Sequence, residues 1–595
     1  MSFAAPLNDI TFALRHITDL DRLAGLEGLE ADPETLEAAI AEMGRVCSEV
    51  LAPLNTVGDT TGAVLENGVV RTPPGFKEAY GEYRDGGWNS VPFDPAYGGM
   101  GLPVLAGVVM AEMLNSANMG FALCPLLNYG AVEAVHAHGS DQQKDLYLPK
   151  LISGEWTGTM NLTEPQAGSD VGALRSKAEP VGDGRWKIKG QKIFITYGEH
   201  DFAENIVHLV LARTPDSPSG TRGISLFLVP KYIPDADGNP GPRNDLRCIK
   251  LEHKLGIHAS PTCVMSYGDN DECYGWMLGG ENQGMRCMFT MMNNARLNVG
   301  VQGVAMAERA TQAAVAYAQE RRQGRGPRGG ADSVAIVEHA DVRRMLMTMK
   351  AYTEASRALC YVNAEAIDLA RNSADEAERA RFAALVELLT PVSKAWSTDI
   401  GCEVSSLGVQ VHGGMGFIEE TGAAQHMRDA RIAPIYEGTN GIQAMDLVMR
   451  KLPLAGGDVV RGLFAEMRGL DADLKAAGLA SMAASLAGAI DALEQATESM
   501  FERLKAEPNA AAAGAAPYLR MFGQTVGGYL LARGAVAAVA KLATGAGEEK
   551  EFLEAKLATA RFYAHQLLPL VHGLLPAATG AEEELYAIAP ERLSA

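Results

Sequence analysis

One carboxylate, Glu437, stands between the apolar run Ile432-Ala433-Pro434-Ile435-Tyr436 and the turn Gly438-Thr439-Asn440-Gly441. An acid with apolar residues on one side and pliable glycine backbone on the other suits a general base in a narrow, water-poor slot. There desolvation raises its proton affinity, and a ligand can approach the backbone closely. Taken alone, the same residue reads as an exposed loop acid, and only its company changes that.

Three other stretches offer chemistry. Residues 160–172, "MNLTEPQAGSDVG", present backbone amides and the hydroxyls of Thr163 and Ser169, which suit a flat heteroaromatic cofactor. The plain alternative is a polar surface loop. Residues 409–417, "VQVHGGMGF", bring glycines that admit a ligand, or else form a helix C-cap and turn. They lack the Gly-x-Gly-x-x-Gly spacing and strand–helix setting of a dinucleotide fold. His412 has no second histidine at ligand spacing, so no metal is expected. Arg321, Arg322 and Arg325 close a helix and suit either a pyrophosphate or the helix dipole. Arg296, inside an apolar and amide-rich stretch, calls for an anion or a polar ligand.

These groups need a scaffold. Residues 1–158 read as helices joined by glycine loops, with Asp32-Pro33 as one helix start and 93–103 as a loop. At 159–278 the period changes to that of strands. Residues 185–196 alternate around Gly190, "NIVHLVLAR" and "GISLFLVP" follow, and turn-rich segments separate them. Long helical patterns return at 279–452, interrupted by a loop at 322–333, and an alanine- and leucine-rich helical region occupies 453–595. This order predicts an α+β multidomain chain with separate α and β domains, not alternating βαβ units.

Bulk properties exclude several classes. A net charge of -21 over 595 residues repels phosphate polymers, so no nucleic-acid partner is expected. Asp9, Arg15 and Asp19 break any signal-peptide pattern, and no uncharged apolar run reaches membrane-spanning length, so no membrane insertion is expected. Eight scattered cysteines with no Cys-x-x-Cys pair predict buried thiols and a cytoplasmic setting.

Read together, "LTEPQAGSD", "KGQKIFIT", "EHKLGIHAS", "QVHGGMGF" and "MRDARIAPIYEGTNGIQ" stand in order between about residues 90 and 452 and resemble the acyl-CoA dehydrogenase family of flavoenzymes. The N-terminal "FAAPLNDITFALRHI", the glycine-rich insertion at 323–332 and the extra C-terminal region resemble its long bacterial subgroup. One branch of that subgroup acts on 3-methylthiopropanoyl-CoA and others act on fatty acyl-CoAs. The resemblance implies an N-terminal helical domain, a middle β domain, a four-helix-bundle domain and an additional helical domain. It also implies FAD, an acyl-CoA substrate, an electron-transfer flavoprotein as acceptor and a homodimer.

By the same resemblance Glu437 is the base. Met160, Leu162, Thr163 and Ser169 form the flavin loop, with Ser169 also near the CoA, and Phe194 and Thr196 lie along the flavin. Arg321, Gln410, Gly413 and Gly414 reach the FAD of a neighbouring subunit, and Thr439 and Gly441 meet the FAD after the base. Asn293, Arg296, Tyr436 and Gly438 border the substrate. Phe194, Asn293, Gly324 and Gly441 replace residues more frequent in the family, namely tryptophan, aspartate, phenylalanine and glutamine. An oxidase that passes electrons to oxygen would share base and fold. A DNA-binding relative would need a basic surface that this acidic chain lacks.

Overall fold

The computed structural model describes residues 3–326, 333–545, 547–580 and 582–594, so most of the expected insertion at 323–332 lies outside the described residues. The chain forms two compact units, one of Ala38–Asn298 and one of Pro6–Glu37 with Val299–Ala595.

In the first unit the central helix α1, Val104–His138, is apolar all round because nearly all of it is buried. Asn118 leaves helical geometry inside it, and its side-chain oxygen accepts the Phe121 N–H at 3.0 Å, restarting the helix as an internal cap. The strands are β1 (Trp156–Asn161), β2 (Lys177–Gly182), β3 (Arg185–Thr196), β4 (Asn205–Ala212), β5 (Ser225–Pro230), β6 (Leu246–Leu251), β7 (Thr262–Tyr267) and β8 (Tyr274–Leu278). They form one sheet in the order β6-β7-β3-β8-β5-β4-β1, with β2 on the side of β3 and only β1·β4 parallel. Strands β4 and β5 are buried along their whole length and mostly apolar, with His208 the polar residue inside β4, because both faces are covered. Leu209, Leu211, Leu226 and Leu228 pack with Trp156 and with Leu127 and Val135 of α1. Val210, Ala212, Phe227 and Val229 pack on the opposite side with Ile188, Cys263 and Tyr267.

The second unit is helical: most of α2 (Gly284–Glu320), then α3 (Ala340–Asn372), α4 (Glu376–His412), α5 (Asn440–Asp446), α6 (Ala480–Ala506) and α7 (Ala515–Thr544). The alanine-rich C-terminal region falls in the same compact unit. Helix α7 lies on α4 where Trp396 is fully buried. A Cβ on Gly523 would stand 2.2 Å from Trp396 Cγ, and one on Gly527 2.8 Å from its Cη2, so only glycine lets the helices meet there.

The segment read as a loop at 322–333 differs in part: Arg322–Arg325 and Ser333–Ala335 pair as short antiparallel strands. The backbone of Ile336 donates to Arg321 O at 2.7 Å, which closes the base of that ribbon. All eight cysteines are free, seven buried and Cys402 half-buried. Two described helices, α1 and α7, are long and apolar enough to cross a membrane, but 89% and 56% of their qualifying windows are buried inside the protein, as core helices are.

Candidate active site

Met160 is buried near the end of strand β1, and after Asn161 the chain leaves the sheet as the predicted loop. That loop is tied to β3. Ile193 N donates to Thr163 O at 2.9 Å, and Lys192 Nζ donates to Leu162 O at 3.0 Å and to Glu164 Oε1 at 2.9 Å. Glu164 also accepts Ser176 Oγ at 2.6 Å and the backbone N–H groups of Arg175 and Ser176 at 2.7 and 3.0 Å. The Lys192 and Glu164 side chains are 0% and 4% exposed. Burial alone would raise the Glu164 carboxyl, but the Lys192 ammonium and the Ser176 and Arg175 donors outweigh it and hold the pKa at about 2. Burial lowers Lys192 to about 8 against the opposing pull of Glu164, so at neutral pH the pair is ionised.

Next to this staple β3 carries an extra residue. Ile195 pairs with Cys263 and Lys192 with Met265, so two residues of β3 oppose one of β7. Such a bulge re-aims a side chain. Phe194 takes a left-handed φ of 60°, costly for an aromatic residue, and its ring is 59% exposed. Leu162, Thr163 and Thr196 beside it are half-buried, and Ser169 is exposed. An open aromatic ring, hydroxyls and a fixed loop backbone form a platform that fits one face of a planar heterocycle such as the flavin of FAD. Asn293 is exposed. Arg296 is buried, with its guanidinium 5.9 Å from the centre of the Phe289 ring.

In the helical unit the base candidate sits on built backbone. Glu437 is half-buried with φ 56°, and Gly438 follows with φ 83°. A Cβ at Gly438 would stand 2.7 Å from Gln443 Nε2, so the glycine is required twice over. Gln443 Nε2 donates to Glu437 O and Gly438 O at 3.2 and 3.3 Å. Lys394 Nζ, buried on α4, donates to Gly438 O and Asn440 Oδ1, both at 2.8 Å. Asn440 Nδ2 donates back to Ala395 O, Thr398 Oγ1 and Asp399 Oδ1 at 3.0, 3.0 and 2.7 Å. Thr439 caps α5 by accepting the Ile442 N–H. Tyr436 donates its hydroxyl to Gln302 of α2. Burial, and then the neighbouring Glu437 carboxylate, hold that phenol well above its ordinary pKa, so it is a neutral donor. Ile435 and Ile442 beside the base are exposed.

Arg321, Gln410, Gly413 and Gly414 are exposed. His412 stacks on Tyr317 with ring centres 4.5 Å apart, and Tyr317 O accepts the Arg321 N–H at 2.9 Å, which brings the arginine at the end of α2 near the glycine turn at the end of α4. His412 Nδ1 pairs with Gly408 O at 2.7 Å, and the ring is buried. Cβ atoms on Gly413 and Gly414 would meet nothing within 4 Å, and one on Gly441 would meet only Thr439 Oγ1 at 3.9 Å. Gly413 answers to its φ of 61°, but nothing within the chain demands glycine at 414 or 441. Open room above glycine backbone beside an arginine fits the phosphate-bearing part of FAD.

The predicted residues thus fall into two sets. Met160, Leu162, Thr163, Ser169, Phe194, Thr196, Asn293 and Arg296 belong to one unit. Arg321, Gln410, Gly413, Gly414, Tyr436, Glu437, Gly438, Thr439 and Gly441 belong to the other. Sequence reasoning missed Glu164, Lys192, Gln302, Lys394, Asn440 and Gln443. The available signals were a lysine in the apolar run "LLTPVSKAW" and an acid inside the loop motif itself.

Comparison with known proteins covers both units. Family models match as acyl-CoA dehydrogenase N-terminal domain at 66–155, middle domain at 159–269 and C-terminal domain at 282–452. A fourth, acetyl-CoA dehydrogenase C-terminal like, matches at 463–589. The chain is 50% identical over 573 residues to a 3-methylmercaptopropionyl-CoA dehydrogenase of Ruegeria pomeroyi, covering 96% of each. It is 37% identical over 588 residues to a butyryl-CoA dehydrogenase of Syntrophomonas wolfei, again covering 96% of each. The solved structure of Caenorhabditis elegans ACDH-11 in complex with C11-CoA has a TM-score of 0.74 at 19% identity, covering 95% of this chain and 92% of that one, and shows a shared fold.

Proposed function

Because the chain belongs to the acyl-CoA dehydrogenase family, FAD-dependent oxidoreductases that act on the CH–CH bond of acyl-CoA, we propose that Glu437 is the general base of that reaction and that a short acyl-CoA, 3-methylthiopropanoyl-CoA, is the preferred substrate. The observation that carries the base is its presentation: a half-buried carboxylate on left-handed backbone, flanked by glycine and fixed by Lys394, Gln443 and Gln302. The substrate preference rests on the 50% identity to the Ruegeria pomeroyi enzyme.

In this reading Glu437 takes the α-proton, and its backbone N–H donates to the thioester oxygen as negative charge gathers there. FAD, when bound, would supply the acceptor for the hydride that leaves the β-carbon. The holding residues are Met160, Leu162, Thr163, Ser169, Phe194 and Thr196 at the ring. Arg321, Gln410, Gly413 and Gly414 serve the pyrophosphate across a two-fold interface, and Thr439 and Gly441 lie close to the base. Ser169, Asn293, Arg296, Tyr436 and Gly438 border the acyl-CoA. The electrons pass to an electron-transfer flavoprotein. The eight free thiols agree with a cytoplasmic setting.

An apolar pocket separates a thioether from a methylene poorly, and one extra methylene is worth roughly 10–200-fold in kcat/KM. A panel of acyl-CoAs with one dye acceptor should therefore rank 3-methylthiopropanoyl-CoA first, pentanoyl-CoA close behind and long chains far below. A preference for twelve carbons or more would overturn the substrate. Oxygen consumption without an added acceptor would replace the flavoprotein partner by oxygen. Glu437→Gln should retain FAD and bind acyl-CoA but lose flavin bleaching by roughly 10²–10⁴-fold; near-normal bleaching would move the base elsewhere.

A further inference from the structure

We propose that Lys394 is a positioning residue for catalysis: its ammonium fixes the turn that presents Glu437, so the rate of α-proton removal depends on it although it lies outside every predicted site residue. The inference rests on Glu437 as base, and parallel variants of the two residues separate one role from the other.

The geometry is specific. Glu437 and Gly438 are both left-handed, at φ 56° and 83°. A left-handed non-glycine residue persists only where its surroundings over-determine it. The determinants are three side chains from outside the turn's own backbone. Lys394 holds Gly438 O and Asn440 Oδ1 at 2.8 Å each, Gln443 holds Glu437 O and Gly438 O at 3.2 and 3.3 Å, and Gln302 receives the Tyr436 hydroxyl. Both carbonyls that flank the Glu437–Gly438 peptide are therefore pinned, and with them the direction in which the carboxylate leaves the chain.

Lys394 is fully buried, and the Gly438 and Asn440 oxygens that its ammonium reaches are both neutral. An ammonium in such a place costs several kcal/mol unless it is well solvated by fixed dipoles, which is what the Gly438 carbonyl and Asn440 amide supply. Charged groups facing this corner include Asp399, which accepts Asn440 at 2.7 Å, and Arg520. A lysine serving only to balance Asp399 would have no need to reach the Gly438 carbonyl. One fixed only for packing would be replaceable by methionine of similar volume.

The test uses the FAD-loaded full chain. Lys394→Met removes the donor and keeps the stem, and Lys394→Arg keeps a cationic donor. A misplacement of about 1 Å at the reacting centre costs about 10²-fold, so Lys394→Met should bleach flavin about 10–100-fold more slowly with saturating acyl-CoA. Its FAD content should be unchanged and KM within about threefold, and Lys394→Arg should recover a clear part of the rate. A Lys394→Met rate within threefold of wild type would overturn the proposal, as would Lys394→Arg no faster than Lys394→Met or a rise in KM with unchanged kcat. If Lys394→Met fails to hold FAD, Gln443→Met carries the test: a fall of about 3–10-fold in bleaching with normal FAD supports the pinned turn, and a wild-type rate overturns it. Glu437→Gln run alongside distinguishes the failures. A dead Glu437→Gln with normal Lys394 variants sinks only the positioning role, whereas an active Glu437→Gln sinks the base itself.

Discussion

Replacing Glu164 by glutamine is a direct test of how the loop after β1 is held. The substitution keeps the shape and one acceptor oxygen but leaves the Lys192 ammonium, 0% exposed, without its counter-charge. The carboxyl falls from 4.5 to about 2 in the folded protein. Burial moves Lys192 the other way, from 10.5 down to about 8, so the two shifts oppose each other and the intact pair is of little net worth. Removal of one member nevertheless costs about 3–5 kcal/mol, because the other charge is left buried and uncompensated. The loss should be local, because the pair ties residues 162–176 to β3 and not the two cores. Hydrogen exchange in peptides covering the loop is therefore the assay, and about 3 kcal/mol corresponds to exchange faster by about 10²-fold. FAD should dissociate faster in parallel. The double variant Glu164→Gln/Lys192→Met removes both charges and should return exchange to within about threefold of wild type, since the penalty is the orphaned charge. Loop exchange in Glu164→Gln within threefold of wild type, or a double variant worse than either single one, would refute the reasoning.

Three further outcomes follow from other parts of the molecule. Burial raises the Glu365 carboxyl from 4.5 to about 7 while it accepts the Asp19 N–H at 2.6 Å. Its contribution is thus present below pH 4.5 and lost as pH rises toward 7, because the unfolded chain ionises first; Glu365→Gln should abolish part of the fall in unfolding temperature between pH 5 and 8, and an unchanged profile would remove the assignment. Gly523→Ala forces a Cβ to within 2.2 Å of Trp396 Cγ, and overpacking of this kind costs about 1–3 kcal/mol or more. An earlier urea midpoint with red-shifted tryptophan emission is expected, and a wild-type midpoint would contradict the tight seat. Light scattering should give a homodimer near 126 kDa, twice 63.2 kDa, and a monomer with full FAD and activity would contradict the shared site.

What could be read in the sequence depended on whether local chemistry or tertiary pairing decided the feature. Alternation at 185–196 gave β3, but the bulge at Phe194 is set by its register with β7, and no local pattern marks it. The turn after Glu437 was legible because glycine, threonine and asparagine each have a conformational reason to stand there. The proposal that Glu437 is a base came only from several motifs read together. Lys394 was invisible for a simpler reason: a single lysine in a long helix is usually solvated, and only the fold places its head at Gly438 O. Likewise the ribbon of Arg322–Arg325 with Ser333–Ala335 was read as loop, since its strands are too short to carry a period.

The seat of Trp396 against Gly523 and Gly527 joins two ends of the molecule's work. Trp396 is two residues beyond Lys394 on the same helix, so the tail of the chain lies as a splint along the rod from which Lys394 reaches the Glu437–Gly438 turn. Trimming the chain after Leu452 would not produce a smaller working enzyme. It would strip the cover from a large indole and slacken the rod at the point where the Glu437 turn hangs from it. A protease that nicks the tail should consequently silence turnover while every residue that touches substrate is still intact.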